Sequence, residues 1–169
     1  MTAAPDVVLV SSSDENQRRL ITNALRDRLP VRTATGAEST VASLDASIAV
    51  VVIDGATVDL SVDALDTDDE RTFYQILWLD SSGAAPTERA DAVFDRAVSR
   101  ETIWTTVERL QLRARYDRLL TTFYELAAAE ERTDTVHDRE QKLDAVKDQL
   151  DRVAARLDDR DAFDIALDT

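Results

Sequence analysis

The sequence has no cysteine at all, which excludes disulfides, thiolate metal sites and thiol nucleophiles together. A single histidine, His137, cannot build a histidine metal site or a His–His relay. No apolar run approaches the roughly 18–20 residues that a membrane span requires. Residues 1–6 lack the basic and apolar regions of a signal peptide, so a soluble, cytoplasmic protein with no membrane association is expected. Lysine is nearly missing: of 20 basic residues only Lys142 and Lys147 are Lys. Glycine and proline do not occur after Pro86, so the last 70 residues lack the strongest helix breakers and should form long helices. No Gly-rich phosphate loop, nucleophile elbow or metal motif is present, and no cofactor or enzymatic activity is expected.

What the sequence does have is acid. The 169 residues carry 34 acidic groups, 24 of them Asp, for a net charge of −14. Such a surface suits molar salt, where the Debye length is about 3 Å and self-repulsion is screened. A salt-accumulating halophile is the expected source. With 44% hydrophobic residues the chain still has enough apolar material for a core.

The first hundred residues alternate apolar runs with amphipathic stretches. Val7–Val10 reads as a buried strand, and a Ser N-cap with acids in the first turn opens a helix that Pro30 stops. Val31–Ala34 is a second strand. Glu38–Leu44 is a second helix with Val41 and Leu44 inward. Ile48–Ile53 is the most apolar run and ends at Asp54-Gly55. That pair could make a hairpin, but a strand apolar on both faces points to a parallel sheet covered by helices. A weak helix over Val62–Arg71, a strand at Gln75–Leu79, a short acidic helix around Pro86 and a strand at Ala92–Phe94 follow. The alternation predicts an α/β fold: a doubly wound, five-stranded parallel sheet of flavodoxin-like order 2-1-3-4-5.

Ser99 is the N-cap of a long helix. Ile103, Val107 and Leu110 form a stripe that packs on the sheet. Leu112, Tyr116, Leu119, Phe123 and Leu126 form a second stripe beyond it. The pattern fades at Glu130–Asp134. It resumes at Val136 and continues as Leu143, Val146, Leu150, Val153 and Leu157, stepping by three and four as in a coiled coil. The two stripes are expected to close as a helical hairpin or coiled coil, within one chain or across a homodimer. The expected domains are residues 1–110 and 111–169. The cluster Arg109, Arg113, Arg115 and Arg118 is read as intrahelical pairing with neighbours such as Asp117.

In an open α/β sheet the site lies at the carboxyl ends of the strands, here Ser12, Ser13, Asp54, Asp80-Ser81 and Asp95-Arg96. With Val8–Leu20, Val-Val-Val-Ile-Asp54, Ile-Leu-Trp-Leu-Asp80-Ser81 and Phe94-Asp95-Arg96-Ala97 in this order, the first part resembles the receiver domain of two-component response regulators. The second part, through Val98–Glu101, Val107–Leu110 and Tyr116-Asp117 with Leu119 and Phe123, resembles the HalX domain that follows receivers in haloarchaea. The resemblance implies a phosphoacceptor at Asp54. It also implies protein partners such as a histidine kinase or the transcription machinery.

Four positions depart from the receiver pattern. Ser12 and Ser13 replace the acidic pair that holds Mg²⁺, a cation that prefers carboxylates. Asp80 replaces the switch hydroxyl and would repel a phosphoryl group. Arg96 replaces the lysine and is expected to pair with Asp80 across the site. The reading is a pseudo-receiver: a signalling or transcription-regulatory protein acting through protein contacts of its helical segment. The alternatives are a phosphorelay regulator phosphorylated on Asp54, a DNA-binding transcription factor, for which no motif speaks, and a structural oligomerisation protein.

Overall fold

Strand β3, Ile48–Asp54, is buried at every one of its positions. In the computed structural model, which describes residues 6–65, 73–83, 90–128 and 136–157, it lies inside a five-stranded sheet of order β2-β1-β3-β4-β5. The other strands are β1 (Val7–Ser11), β2 (Val31–Ala34), β4 (Gln75–Leu79) and β5 (Ala92–Phe94). All pairs are parallel, and β3 is flanked by β1 (Val10↔Val52) and β4 (Val52↔Leu77). A strand paired on both edges in a sheet covered on both faces has no wet side, which is why its sequence is apolar without alternation. The Asp54-Gly55 hairpin alternative is thereby excluded. Asp54 instead opens a tight turn in which its carbonyl accepts from the amides of Thr57 (3.1 Å) and Val58 (3.0 Å).

The edge strands are short, four residues in β2 and three in β5. Helix α1 (Glu15–Leu25) buries Ile21 and Leu25 and leaves Leu20 outward. Its N-cap is Asp14, not a serine: the Asp14 carboxylate accepts from the amides of Asn16 and Gln17. The helix also ends five residues before Pro30, in a turn where the Leu29 amide bonds the Leu25 carbonyl. Helix α2 (Ala37–Ala42) is shorter than expected. Val41 faces out and Thr40 faces in, because the Thr40 hydroxyl bonds the buried Ser11 hydroxyl at 2.6 Å and the Gly36 carbonyl at 2.7 Å. The weak helix expected over Val62–Arg71 appears as a single 3-10 turn, Val62–Leu65. Its remainder, the short helix around Pro86, the link at Glu130–Asp134 and the tail after Asp158 lie outside the described residues.

Helix α3 runs from Arg100 to Ala128. Ser99 caps it as predicted, accepting from the Thr102 amide at 3.1 Å. Ile103, Val107 and Leu110 are fully buried. Arg28 lies over the Trp104 ring, 4.5 Å from its centroid, a cation–π contact between the end of the α1 segment and α3.

The chain divides into two units, Met1–Gln111 and Leu112–Thr169. In the second, residues 112–128 of α3 and helix α4 (Val136–Ala154) form a helical pair. Leu112 and Leu157 make its buried cluster, with Tyr116, Leu120 and Val153 packed against it. Contact between the start of one segment and the end of the other is the signature of an antiparallel hairpin. Leu150 is also buried, whereas Leu119, Phe123, Leu126, Leu143 and Val146 are half-buried. Leu120, outside the predicted stripe, also packs against this cluster.

Candidate functional site

At the carboxyl end of β3 the Asp54 carboxylate is completely buried. A buried carboxylate is costly unless it is paired and hydrogen-bonded. Here three donors converge on Oδ2: the Ser12 hydroxyl at 2.7 Å, the Thr57 hydroxyl at 2.9 Å and Arg96 Nη2 at 2.9 Å. The second oxygen, Oδ1, lies 2.8 Å from Arg96 Nε in an ion-pair contact too bent to count as a hydrogen bond. Arg96 thus straddles both oxygens of Asp54, and its Nη2 also reaches Asp14 Oδ2 at 3.2 Å. The hydrogen bond that Arg96 donates to Asp54 is the chief reason the guanidinium holds its proton more tightly than usual.

Each element delivers one part. β1 ends in Ser11 and places Ser12 beside Asp54, with the Ser12 carbonyl held by Arg18 at 2.8 Å. The turn after β3 folds Thr57 back onto its own Asp54. Glycine at position 55 leaves room for the Trp78 indole, since a Cβ there would stand 2.3 Å from Trp78 Nε1. The turn after β5 supplies Arg96. Asp14 caps α1, and the Gln17 amide is the largest cause of its lowered pKa, with Asn16 and Arg96 adding to it.

The structure brings Asp54, Ser12 and Arg96 together, but not the rest as expected. Ser13 turns aside: its hydroxyl donates to the carbonyls of Thr35 (2.6 Å) and Thr57 (3.0 Å). Arg96 pairs with Asp54 and Asp14 rather than with Asp80. The Asp80 carboxylate accepts from the Ser82 amide (2.8 Å) and hydroxyl (2.6 Å), which draws it toward its own loop. Ser81 is exposed.

Thr57, Asp14 and Gln17 were not singled out from sequence. A signal for two of them exists, because Asp14 and Gln17 stand at N-cap and N3, the spacing of a capping box. Gln17 departs from that pattern: its side chain donates to the Arg96 carbonyl at 3.1 Å. Thr57 carries no such signal, since only the tight turn at Gly55 brings it back.

Solved structures similar to this chain are response-regulator receivers. The chemotaxis response regulator CheY4 of Vibrio cholerae is 20% identical, with TM-score 0.53 over 62% of this chain and 98% of that one. The first unit has the receiver fold. A receiver-modulated diguanylate cyclase from Pelobacter carbinolicus is 14% identical, with TM-score 0.54 over 65% of this chain and 94% of that one. NtrX from Brucella abortus is 15% identical at TM-score 0.60, covering 81% of this chain but only 33% of its own length. No protein-family model and no curated protein matches the sequence.

The receiver fold implies Mg²⁺, and the residues present do not fit it. Mg²⁺ takes carboxylates and water in octahedral geometry. Here Ser12 offers a hydroxyl where a carboxylate is needed, and the Asp14 and Asp54 carboxylates already share a guanidinium. Among the described residues no group of three or more His, Asp or Glu side chains could hold a metal. No helix among them is long and apolar enough to cross a membrane.

Proposed function

We propose that this chain is a signalling regulator, cytoplasmic and non-enzymatic, whose receiver domain has exchanged phosphoryl chemistry for a permanent internal ion pair. The receiver fold supports the signalling role. The observation that carries the finer reading is the state of Asp54: one oxygen takes three donors, and the other faces Arg96 Nε at 2.8 Å. A phosphoryl donor would have to displace the guanidinium before either oxygen could attack. The pair also supplies the positive charge that a metal would otherwise bring. The helical part, whose residues resemble HalX, then serves as the output through protein–protein contacts.

The test is incubation with a small acyl-phosphate donor and Mg²⁺, followed by intact-mass measurement. An unmodified chain is expected. Stoichiometric phosphate on Asp54 would restore the phosphorelay reading, in which Arg96 swings away as the donor enters. The halophilic origin has its own check: with net charge −14, the thermal midpoint should climb steeply from low to molar KCl.

A further inference from the structure

The contacts around Arg96 close a ring that reaches beyond Asp54. Asp14 Oδ2 accepts from Arg96 Nη2 (3.2 Å), Asp14 Oδ1 accepts from the Gln17 amide (3.3 Å), and Gln17 Nε2 donates to the Arg96 carbonyl (3.1 Å). Arg96 is therefore gripped at both ends, its guanidinium by two carboxylates and its backbone by a side chain of α1. Three residues later Ser99 caps α3. The intervening chain is a tight turn held by the Asp95 side chain to the Ala97 amide (2.8 Å) and the Asp95 carbonyl to the Val98 amide (3.0 Å). The turn has no other anchor to α1 among the described hydrogen bonds.

We infer that this ring is a latch. It fastens the start of α3 to the first turn of α1, and its grip is set by the charge on Asp54. With the carboxylate charged, Arg96 is drawn inward and its carbonyl is presented to Gln17. With that charge removed, the guanidinium keeps only its longer contact to Asp14, the Arg96 backbone is no longer fixed, and the turn that starts α3 loosens. Gln17 is a positioning residue in this device. It does not bond Asp54; its side chain holds the Arg96 carbonyl and its amide holds the Asp14 carboxylate, so it ties the turn before α3 to the first turn of α1. The inference does not depend on whether Asp54 takes phosphate. Any neutralisation of that carboxylate would work the latch.

Hydrogen exchange on the full chain, residue by residue, tests it with two variants. Asp54→Asn should speed exchange at the Ala97 and Val98 amides and in the first turn of α3 by about tenfold. Asn16 and Gln17 should follow. Gln17→Ala, which leaves the ion pair intact, should speed the same turn severalfold. Neither variant should alter β2 and the Arg32–Asp45 region, which the ring does not touch. The latch is overturned if Asp54→Asn changes exchange only in β3 and its turn, or if Gln17→Ala leaves Ala97 and Val98 at their original rates. Should Asp54→Asn fail to fold, Gln17→Ala alone decides. Phosphate incorporation at Asp54 would refute the proposed function without touching this result.

Discussion

Strand β3 and helix α4 bury apolar side chains in opposite ways. All seven residues of β3 are inside, each neighbour in sequence packed against a different layer. Of the nineteen residues of α4, Leu150 alone is buried among the described side chains, and Leu143, Val146, Val153 and Ala154 are only half covered. A sheet between helices removes both faces of a strand from water, while a two-helix pair can cover one stripe of each helix. Most of the free energy from burial, about 1.5–3 kcal/mol for each large aliphatic side chain, therefore resides in the first unit. It is the first unit that can tolerate a fully buried carboxylate, Asp54, paired with a partly buried guanidinium.

The sharpest way to break that contrast is to remove the cation. Arg96→Ala leaves Asp54 buried with only hydroxyl donors. It should cost about 3–5 kcal/mol in chemical denaturation of the sheet. Adding Asp54→Asn should recover a large part of the loss, since the orphaned charge is gone. Next in size is the hairpin. Leu150→Asp puts a charge into a seam with no partner for it and should cost about 3 kcal/mol. Circular dichroism should lose the helicity of α4, while the sheet still melts at its original temperature. Loss of both units together would show that they fold as one.

Gly55→Ala is the third test. Its Cβ would stand 2.3 Å from the Trp78 ring, so the indole must shift, at about 1–3 kcal/mol. A changed Trp78 emission with an intact hairpin is the expected result. The smallest effect is expected at Asp45. Its carboxyl is held at about 2, below the usual 3.8, by the Ser47 hydroxyl first and the Arg32 guanidinium second. A lowered carboxyl pKa stabilises the fold above about 3.8, and that stabilisation is lost as pH falls toward 2. Arg32→Ala should raise this pKa in an NMR titration. Because both side chains are some 40–51% exposed, it should cost under about 1 kcal/mol near neutral pH.

Much of this architecture was legible in the residues. The unbroken apolar run Ile48–Ile53 demanded a doubly covered strand. The alternation around it gave the order 2-1-3-4-5, and Ser99 marked the start of α3. The losses have physical causes. Thr40 outranked Val41 as the inward residue of α2 because a buried hydroxyl, Ser11, needed a partner, and periodicity does not register hydrogen bonds. Leu120 packs against the hairpin cluster without having stood in the predicted stripe, because adjacent leucines offer two nearly equal faces and periodicity does not choose between them. At the site, Asp54, Ser12 and Arg96 were identifiable from strand ends. The choice of Asp54 over Asp80 by Arg96 was not, since it depends on which carboxylate is desolvated and on Ser82 drawing Asp80 away.

The two rims of the sheet have a consequence of their own. β2 has four residues and β5 three, so each outer strand presents only a few backbone donors and acceptors to any extended chain that might add alongside. Growth of a sheet by strand addition needs a long, flat template, and these rims are too short to offer one. The central strand, apolar at six of its seven positions, is thus enclosed between rims that offer an incoming strand little backbone to pair with.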